Sequence, residues 1–218
     1  MNTISPLQGR KPLPPRARVL KRGERFLEPD VYVAQVDGRP AVIKDYGRYR
    51  GTPLSPLARL LVRREARVLR RLRGWRHAPA LLGTVGGLAL GIEFIPGVTL
   101  GEVAMDAASA VFQQLRGAVA SLHAAGITHN DLHPANVLVC GTTPVLIDFT
   151  SAVRTPRWLR GFPLTRELRR SDLANVARMR QRLTGHAPDT REAAALAPPG
   201  WVGAIRNGWK RFYRRVKR

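Results

Sequence analysis

Three polar residues in one short stretch have the types and spacing to do chemistry. Residues 127–149 read ITHNDLHPANVLVCGTTPVLIDF, with Asp131, then Asn136 five residues on, then Asp148 twelve beyond that. Moving a phosphoryl group asks few things of a protein. A carboxylate must orient the attacking hydroxyl, and oxygen ligands must hold Mg²⁺ against the phosphates. Asp131 suits the first task, and Asn136 and Asp148 suit the second. The apolar runs 137–139 and 145–147 read as strands joined at Gly141-Thr142. Loop, hairpin and loop would then bring the three groups to one sheet edge. Turn-forming Asp and Asn explain each residue singly but not the set. His129 and His133 stand four apart like a helical zinc pair, yet Pro134 and the lack of a third nearby ligand argue against one.

The elements that must position these groups follow from turns and periodicity. Residues 31–36 (VYVAQV) and 40–46 (PAVIKDY) are β-rich and flank Asp37-Gly38, a hairpin turn signal. Ser55-Pro56 starts a helix, with serine as cap and proline at the first helical position, that should run to about residue 72. Gly86-Gly87 turns into an apolar strand over 88–94, and Pro96-Gly97 breaks the chain. Beyond the break, Val111, Leu115, Val119 and Leu122 keep helical spacing within 107–124, ended by Gly126. Residues 154–170 read as basic and irregular, 172–183 as a helix closed by Gly185, and 186–200 as an Ala/Pro-rich linker. Residues 201–218 carry Ile205, Trp209, Phe212 and Val216 at three-to-four spacing, an amphipathic helix. The expected division is a proline-rich basic arm (1–16), a β-rich lobe (17–95), a lobe holding the polar loops (96–200) and the basic aromatic helix (201–218).

The polar stretch resembles the protein-kinase-like superfamily, whose catalytic loop has the form H-x-D-x-x-x-x-N and whose metal loop has the form D-F-G. The resemblance implies an α+β, two-lobed kinase-like fold with a small β-rich N-lobe and a reduced, mostly helical C-lobe. It implies Asp131 as catalytic base, Asn136 and Asp148 as Mg²⁺ ligands, His129 as a packing residue, and ATP as phosphoryl donor. Ala41-Val42-Ile43-Lys44 looks like the family's V-A-I-K strand, whose lysine holds the α- and β-phosphates and needs a glutamate on the following helix. Glu65 falls on the stripe of Leu57, Leu61, Val68 and Leu72, and the positions three and four away are all apolar. A carboxylate on a buried stripe needs a cationic partner, because an unpaired buried charge is costly. Residues 59–76 hold eight arginines and this one acid, and a surface arginine of the same helix is the plainer partner; the apolar neighbours favour Lys44. Gly23, Glu93 and Ile95 complete the ATP contacts that the resemblance implies.

The chain also departs from the family pattern. Only Gly23 stands where a Gly-rich loop should cover the phosphates, so backbone amides and Arg22 or Arg25 would have to serve. Asn130 replaces the arginine of H-R-D, and Thr150 replaces the glycine of D-F-G. No A-P-E motif follows, and 70 residues after Asp148 leave no room for the large substrate-binding region of ordinary protein kinases. The compact form resembles bacterial RIO-like serine/threonine kinases and is similar to the lipopolysaccharide-core sugar kinases. Aminoglycoside and choline kinases share the loop but carry longer helical insertions. Asp172 is either a brace for the catalytic loop, as in kinase relatives, or an ordinary helix cap. The expected activity is ATP- and Mg²⁺-dependent phosphorylation of a hydroxyl on a protein serine or threonine. A core-sugar kinase is the alternative, and a pseudokinase or nucleotide-binding module is the alternative of another class.

Composition limits the company such a protein keeps. The 218 residues carry a net charge of +22, with 37 basic and 15 acidic side chains. That excess favours polyphosphate ligands, anionic membrane or nucleic acid, although no sequence-specific nucleic-acid motif is present. A solvated arginine-rich surface explains it equally. One cysteine, Cys140, excludes an internal disulfide framework and fits a reducing compartment. The expectations are a hydroxyl-bearing protein or glycolipid acceptor and a cytoplasmic location, with peripheral contact to the inner membrane face through the basic C-terminus.

Overall fold

The computed structural model describes residues 18–103, 105–188, 190–197 and 200. The expected arm over 1–16 and helix over 201–218 lie outside the described residues. The N-terminal half holds β1 (Arg18–Lys21), β2 (Asp30–Val36), β3 (Arg39–Asp45), helix α1 (Ser55–Arg71), β4 (Leu81–Val85) and β5 (Ala89–Glu93). Its strands form one antiparallel sheet in the order β1-β2-β3-β5-β4. The β2–β3 hairpin turns at Asp37 and Gly38, whose φ of 50° and 74° are what a two-residue turn between right-twisted strands requires. Pro40 pairs only with Gln35, outside the β3–β5 ladder that begins at Ala41, so its missing N–H breaks no central bond. Lys44 sits mid-sheet, between Val31 and Leu90.

α1 begins one residue off the expectation. Leu54 is its cap and makes no side-chain capping bond, while Ser55 is the first helical residue and Pro56 stands in the first turn. Its buried stripe is wider than expected: Val68 and Leu72 are buried as expected and are joined by Ala58, Val62, Ala66 and Leu69, whereas Leu57 is exposed. Glu65 remains on the buried side, three residues from Val62 and four from Leu69.

The chain then forms β6 (Val98–Thr99), α2 (Met105–Ala124), β7 (Ile127–Thr128), β8 (Val137–Cys140), β9 (Thr143–Leu146), β10 (Val153–Arg154), α3 (Pro163–Thr184) and α4 (Thr190–Leu196). β6, β8 and β9 make a small sheet, and β7 pairs with β10. Gly97 passes so close to β8 that a Cβ there would lie 2.7 Å from the Val139 carbonyl oxygen. Val111, Leu115, Val119 and Leu122 of α2 are all buried, as their spacing predicted. They join a single connected core that also includes Tyr46, Leu69, Leu90, Phe149 and Met179.

α3 starts at Pro163 and not at Asp172, and α4 occupies part of the expected linker. The first turns of α3 hide little, with Leu164 63% exposed and Thr165 alone buried, so no apolar period marked them. β1 is exposed throughout and β4 nearly so, which hides edge strands from a pattern that looks for alternation.

Candidate active site

Asn136 and Asp148 flank the open end of the β8–β9 hairpin, one just before β8 and the other two residues past β9. Val137 pairs with Leu146, and the Ile147 N–H donates to the Asn136 carbonyl at 3.0 Å. Asn136 turns its Nδ2 back to donate to the Asp131 carbonyl at 2.9 Å and reaches the Asp131 carboxylate at 3.4 Å. The expected trio is therefore gathered at one edge of the small sheet.

Lys44 reaches this edge from the other sheet. Its Nζ donates to Glu65 Oε1 at 2.7 Å and to Asp148 Oδ1 at 2.9 Å. Lys44 is 7% exposed and Glu65 2%, so the expected pair is a buried one. Burial alone would push the Lys44 pKa down, but the Glu65 and Asp148 carboxylates outweigh it, and the amine is held charged above its ordinary range. Burial would likewise raise the Asp148 pKa, but Lys44 beside it holds the carboxyl well below the usual carboxylate range.

Thr150, in the place of the family's glycine, joins the same network. Its hydroxyl lies 2.7 Å from Asp148 Oδ1 and 3.0 Å from Glu65 Oε2. One hydroxyl proton serves one carboxylate at a time, so Thr150 bridges the two acids that flank Lys44. Arg64 spans from α1 to the loop after Asp148 and donates to the Ser151 and Ala152 carbonyls at 3.0 and 2.9 Å.

The catalytic-loop backbone is held from below. Asp172 is fully buried in the middle of α3, which rules out the cap. Its Oδ2 accepts from the His129 N–H and its Oδ1 from the Asn130 N–H, both at 2.8 Å, and His123 Nε2 lies 2.9 Å from Oδ2. Asn130 stands at φ 66°, a left-handed conformation that asparagine tolerates and arginine does not favour. Its Nδ2 donates to the Ser151 carbonyl at 3.1 Å, tying the two loops. Asp172→Leu would strand two buried N–H groups at about 1–3 kcal/mol each. Denaturant unfolding of this variant should show a loss of roughly 2–6 kcal/mol; a loss under about 0.5 kcal/mol, the range of surface substitutions, would mean Asp172 is no brace.

His129 is the packing residue that the resemblance implied. It is fully buried, its ring 4.9 Å from that of Phe149, and its Nε2 donates to the Ile147 carbonyl at 3.1 Å. Burial lowers its pKa, so the folded protein keeps it neutral. The unfolded chain takes up that proton near pH 6.5 and the folded one only lower. Stability from this residue is full above about pH 6.5 and falls as pH drops below it, whereas the Asp148 contribution fades only below about pH 4. The unfolding midpoint should decline between pH 7.5 and 5.5, and less steeply in His129→Asn.

Gly23 serves the β1–β2 turn itself. Its N–H donates to Asp30 Oδ1 at 2.9 Å, Arg48 holds its carbonyl, and a Cβ would collide with the Glu28 carbonyl oxygen. The next two N–H groups, of Glu24 and Arg25, both donate to Glu28 Oε2 at 2.9 Å. Glu28 also pairs with Lys21, whose bond to it is the main reason its pKa falls to about 2. The amides expected to face phosphate are thus engaged by a carboxylate of the same turn. Glu93 ends β5 with its carboxylate on the Ala80 N–H, and the Ile95 carbonyl accepts from Gly97.

The donor set fits Mg²⁺. Asn136 Oδ1 and Asp148 Oδ2 accept no hydrogen bond among the described residues, and both are oxygens on one side of the hairpin. No group of three His, Cys, Asp or Glu side chains suited to a metal occurs among the described residues.

Comparisons with known proteins bear on the fold and on the kind of relatives. Residues 106–197 match the model of a phosphotransferase enzyme family. The chain is 31% identical over 128 residues to a probable bifunctional tRNA threonylcarbamoyladenosine biosynthesis protein of Methanothermobacter thermautotrophicus, covering 56% of this chain and 23% of that one. It is 32% identical over 136 residues to the serine/threonine-protein kinase PknE of Mycobacterium tuberculosis, covering 58% of this chain and 24% of that one. The chain spans about a quarter of the length of these curated relatives. Among solved structures, the Rio2 kinase of Chaetomium thermophilum superposes with a TM-score of 0.60 at 18% identity, over 83% of this chain and 63% of that one. A complex of that kinase with ADP/Mg²⁺ and phosphoaspartate gives 0.60 at 20% identity, over 79% and 58%. The α+β, kinase-like fold implied by the motifs is the fold of this chain, and a phosphotransferase family and a serine/threonine-protein kinase are among its matches.

Proposed function

We propose that this chain, kinase-like in fold, is an ATP- and Mg²⁺-dependent phosphotransferase acting on a hydroxyl, with protein serine or threonine as the acceptor. The observation that carries the reading is Lys44 held between Glu65 and Asp148 at 2.7 and 2.9 Å, beside the Asp131–Asn136 loop. Lys44 offers a fixed positive charge to the phosphates, and Glu65 keeps it aimed. Asp131 is exposed at the loop, where it orients the acceptor hydroxyl and takes its proton as the new P–O bond forms and the β–γ bridge to ADP breaks. Asn136 and Asp148 would hold Mg²⁺, which neutralises phosphate charge when bound. Gly23, Glu93 and Ile95 line the expected nucleotide side, with Gly23 shaping the turn.

One observation favours a second acceptor class. Between Phe149 and Arg166 there is no acidic residue, while Arg154, Arg157 and Arg166 are exposed beside Trp158, 74% exposed, and Phe162, 53% exposed. An arginine and aromatic surface next to the metal loop suits a phosphorylated glycolipid or an anionic membrane face as well as an acidic protein. No helix among the described residues is long and apolar enough to cross a membrane. γ-Labelled ATP offered to a protein fraction and a purified glycolipid side by side separates the two. Label on protein serine or threonine supports the first reading, label on glycolipid the second, and label in neither contradicts both.

A further inference from the structure

A second cleft opens among α2, α3 and α4, with a volume of about 1050 Å³, and of the residues assigned above only Arg166 lines it. Phe112 from α2, Leu173, Val176 and Ala177 from α3, and Leu196 from α4 give it an apolar wall. Five arginines, at 116, 166, 169, 170 and 180, face a single carboxylate, Glu192. Glu192 is shared by Arg116 at 3.2 Å and Arg180 at 2.8 Å, and so ties α4 to both longer helices. Arg170 is taken by Glu167 from outside the lining, and Arg169 donates to the His123 carbonyl at 3.3 Å. Arg166 is exposed, and its side chain makes no ion pair or hydrogen bond among the described residues. Arg180 Nε is buried without a hydrogen-bond partner among the described residues.

We propose that this cleft binds a single-chain amphiphile with a phosphate head, its alkyl body on the apolar wall and its head among the arginines. The size is that of a small-molecule site and not of a protein interface. Guanidinium forks suit a phosphate, and the five arginines outnumber the two carboxylates that pair with them, Glu192 and Glu167, by three. Inorganic phosphate would leave Phe112, Leu173 and Val176 uncovered, and a neutral hydrocarbon would leave the arginines unmet. The chain's own residues 201–218 are a poor occupant, because they bring seven Lys and Arg and no acid to a positive lining.

The cleft shares a helix with the candidate active site. α3 lines it with Arg169, Leu173 and Val176 and braces the catalytic loop with Asp172. Arg169 and Asp172 also meet at His123, one on its carbonyl and one on its ring. An amphiphile seated on this stretch of α3 stiffens the brace, so its binding also raises the unfolding temperature.

The test uses the full chain without ATP, so it is independent of the phosphotransferase reading. Decyl phosphate is titrated by calorimetry below its micellar concentration, with inorganic phosphate and decyltrimethylammonium as comparison probes. The expected result is one saturable site for decyl phosphate and none for the other two. Arg180→Gln and Arg166→Gln should each weaken it at least about tenfold, the loss of a charge-assisted hydrogen bond. Ala177→Phe, which fills the cleft, should abolish it, and Arg63→Gln, exposed on α1, should leave it unchanged. If Ala177→Phe does not fold, the two arginine variants decide. Absence of a saturable site, equal binding of inorganic phosphate, or a site indifferent to the arginine variants would overturn the proposal.

Discussion

Replacing Lys44 with Met should cost more than replacing Glu65 with Gln, and the two losses should not add. Lys44 answers two carboxylates at once, at 2.7 and 2.9 Å. Lys44→Met leaves Glu65 buried and Asp148 without its cation, and removing one partner of a buried pair costs roughly 3–5 kcal/mol. Glu65→Gln keeps an acceptor oxygen for Lys44 and leaves the Asp148 bond in place, so a loss of about 1–3 kcal/mol is expected. The double variant should lose less than the sum, because the second substitution removes a partner already orphaned. In phosphoryl transfer, Lys44→Met should lower kcat by about 10²–10³, the scale of losing one fixed charge at a transition state. Denaturant unfolding and kcat of all four proteins decide this. Losses that add would mean the 2.7 Å contact carries no coupling.

The second large effect separates the two aspartates. Asp131→Asn should leave nucleotide binding intact and lower kcat by about 10²–10⁴, the range for a lost general base. Among the described residues its carboxylate hydrogen-bonds only the Asn136 amide, at 3.4 Å, and no residue of the lysine network. Asp148→Asn should instead weaken Mg²⁺-dependent nucleotide binding and disturb Lys44 and Thr150, which both bond Oδ1. Matching kinetic defects in the two variants would contradict the separate roles given to them.

Much of this site was legible before the fold, because motif spacing is a property of the chain. Asp131, Asn136 and Asp148 are close in sequence and sit on a hairpin whose turn and apolar runs are plain. Lys44 and Glu65 lie 21 residues apart, yet Glu65 had no partner on its own helix face, and that pointed across the fold. What stayed hidden depends on contacts between distant elements. Thr150 looked like a loss of glycine and is a hydroxyl bridge. Arg64 looked like one of many surface arginines and holds two carbonyls 87 and 88 residues away. Asp172 reads as a cap only if a helix starts there, and α3 starts nine residues earlier, at Pro163. The early turns of α3, the exposed β1 and the short α4 bury too little to leave an apolar period.

The central claim is that Lys44, Asn136 and Asp148 form a site for ATP with Mg²⁺. Calorimetric titration of ATP with and without Mg²⁺, on the intact chain and on Lys44→Met, tests it most directly. Binding with Mg²⁺ should be at least about tenfold tighter than without it, the weight of one charge-assisted contact, and should be largely lost in Lys44→Met. ATP binding that ignores Mg²⁺ and survives Lys44→Met, or no ATP binding at all, would contradict the account.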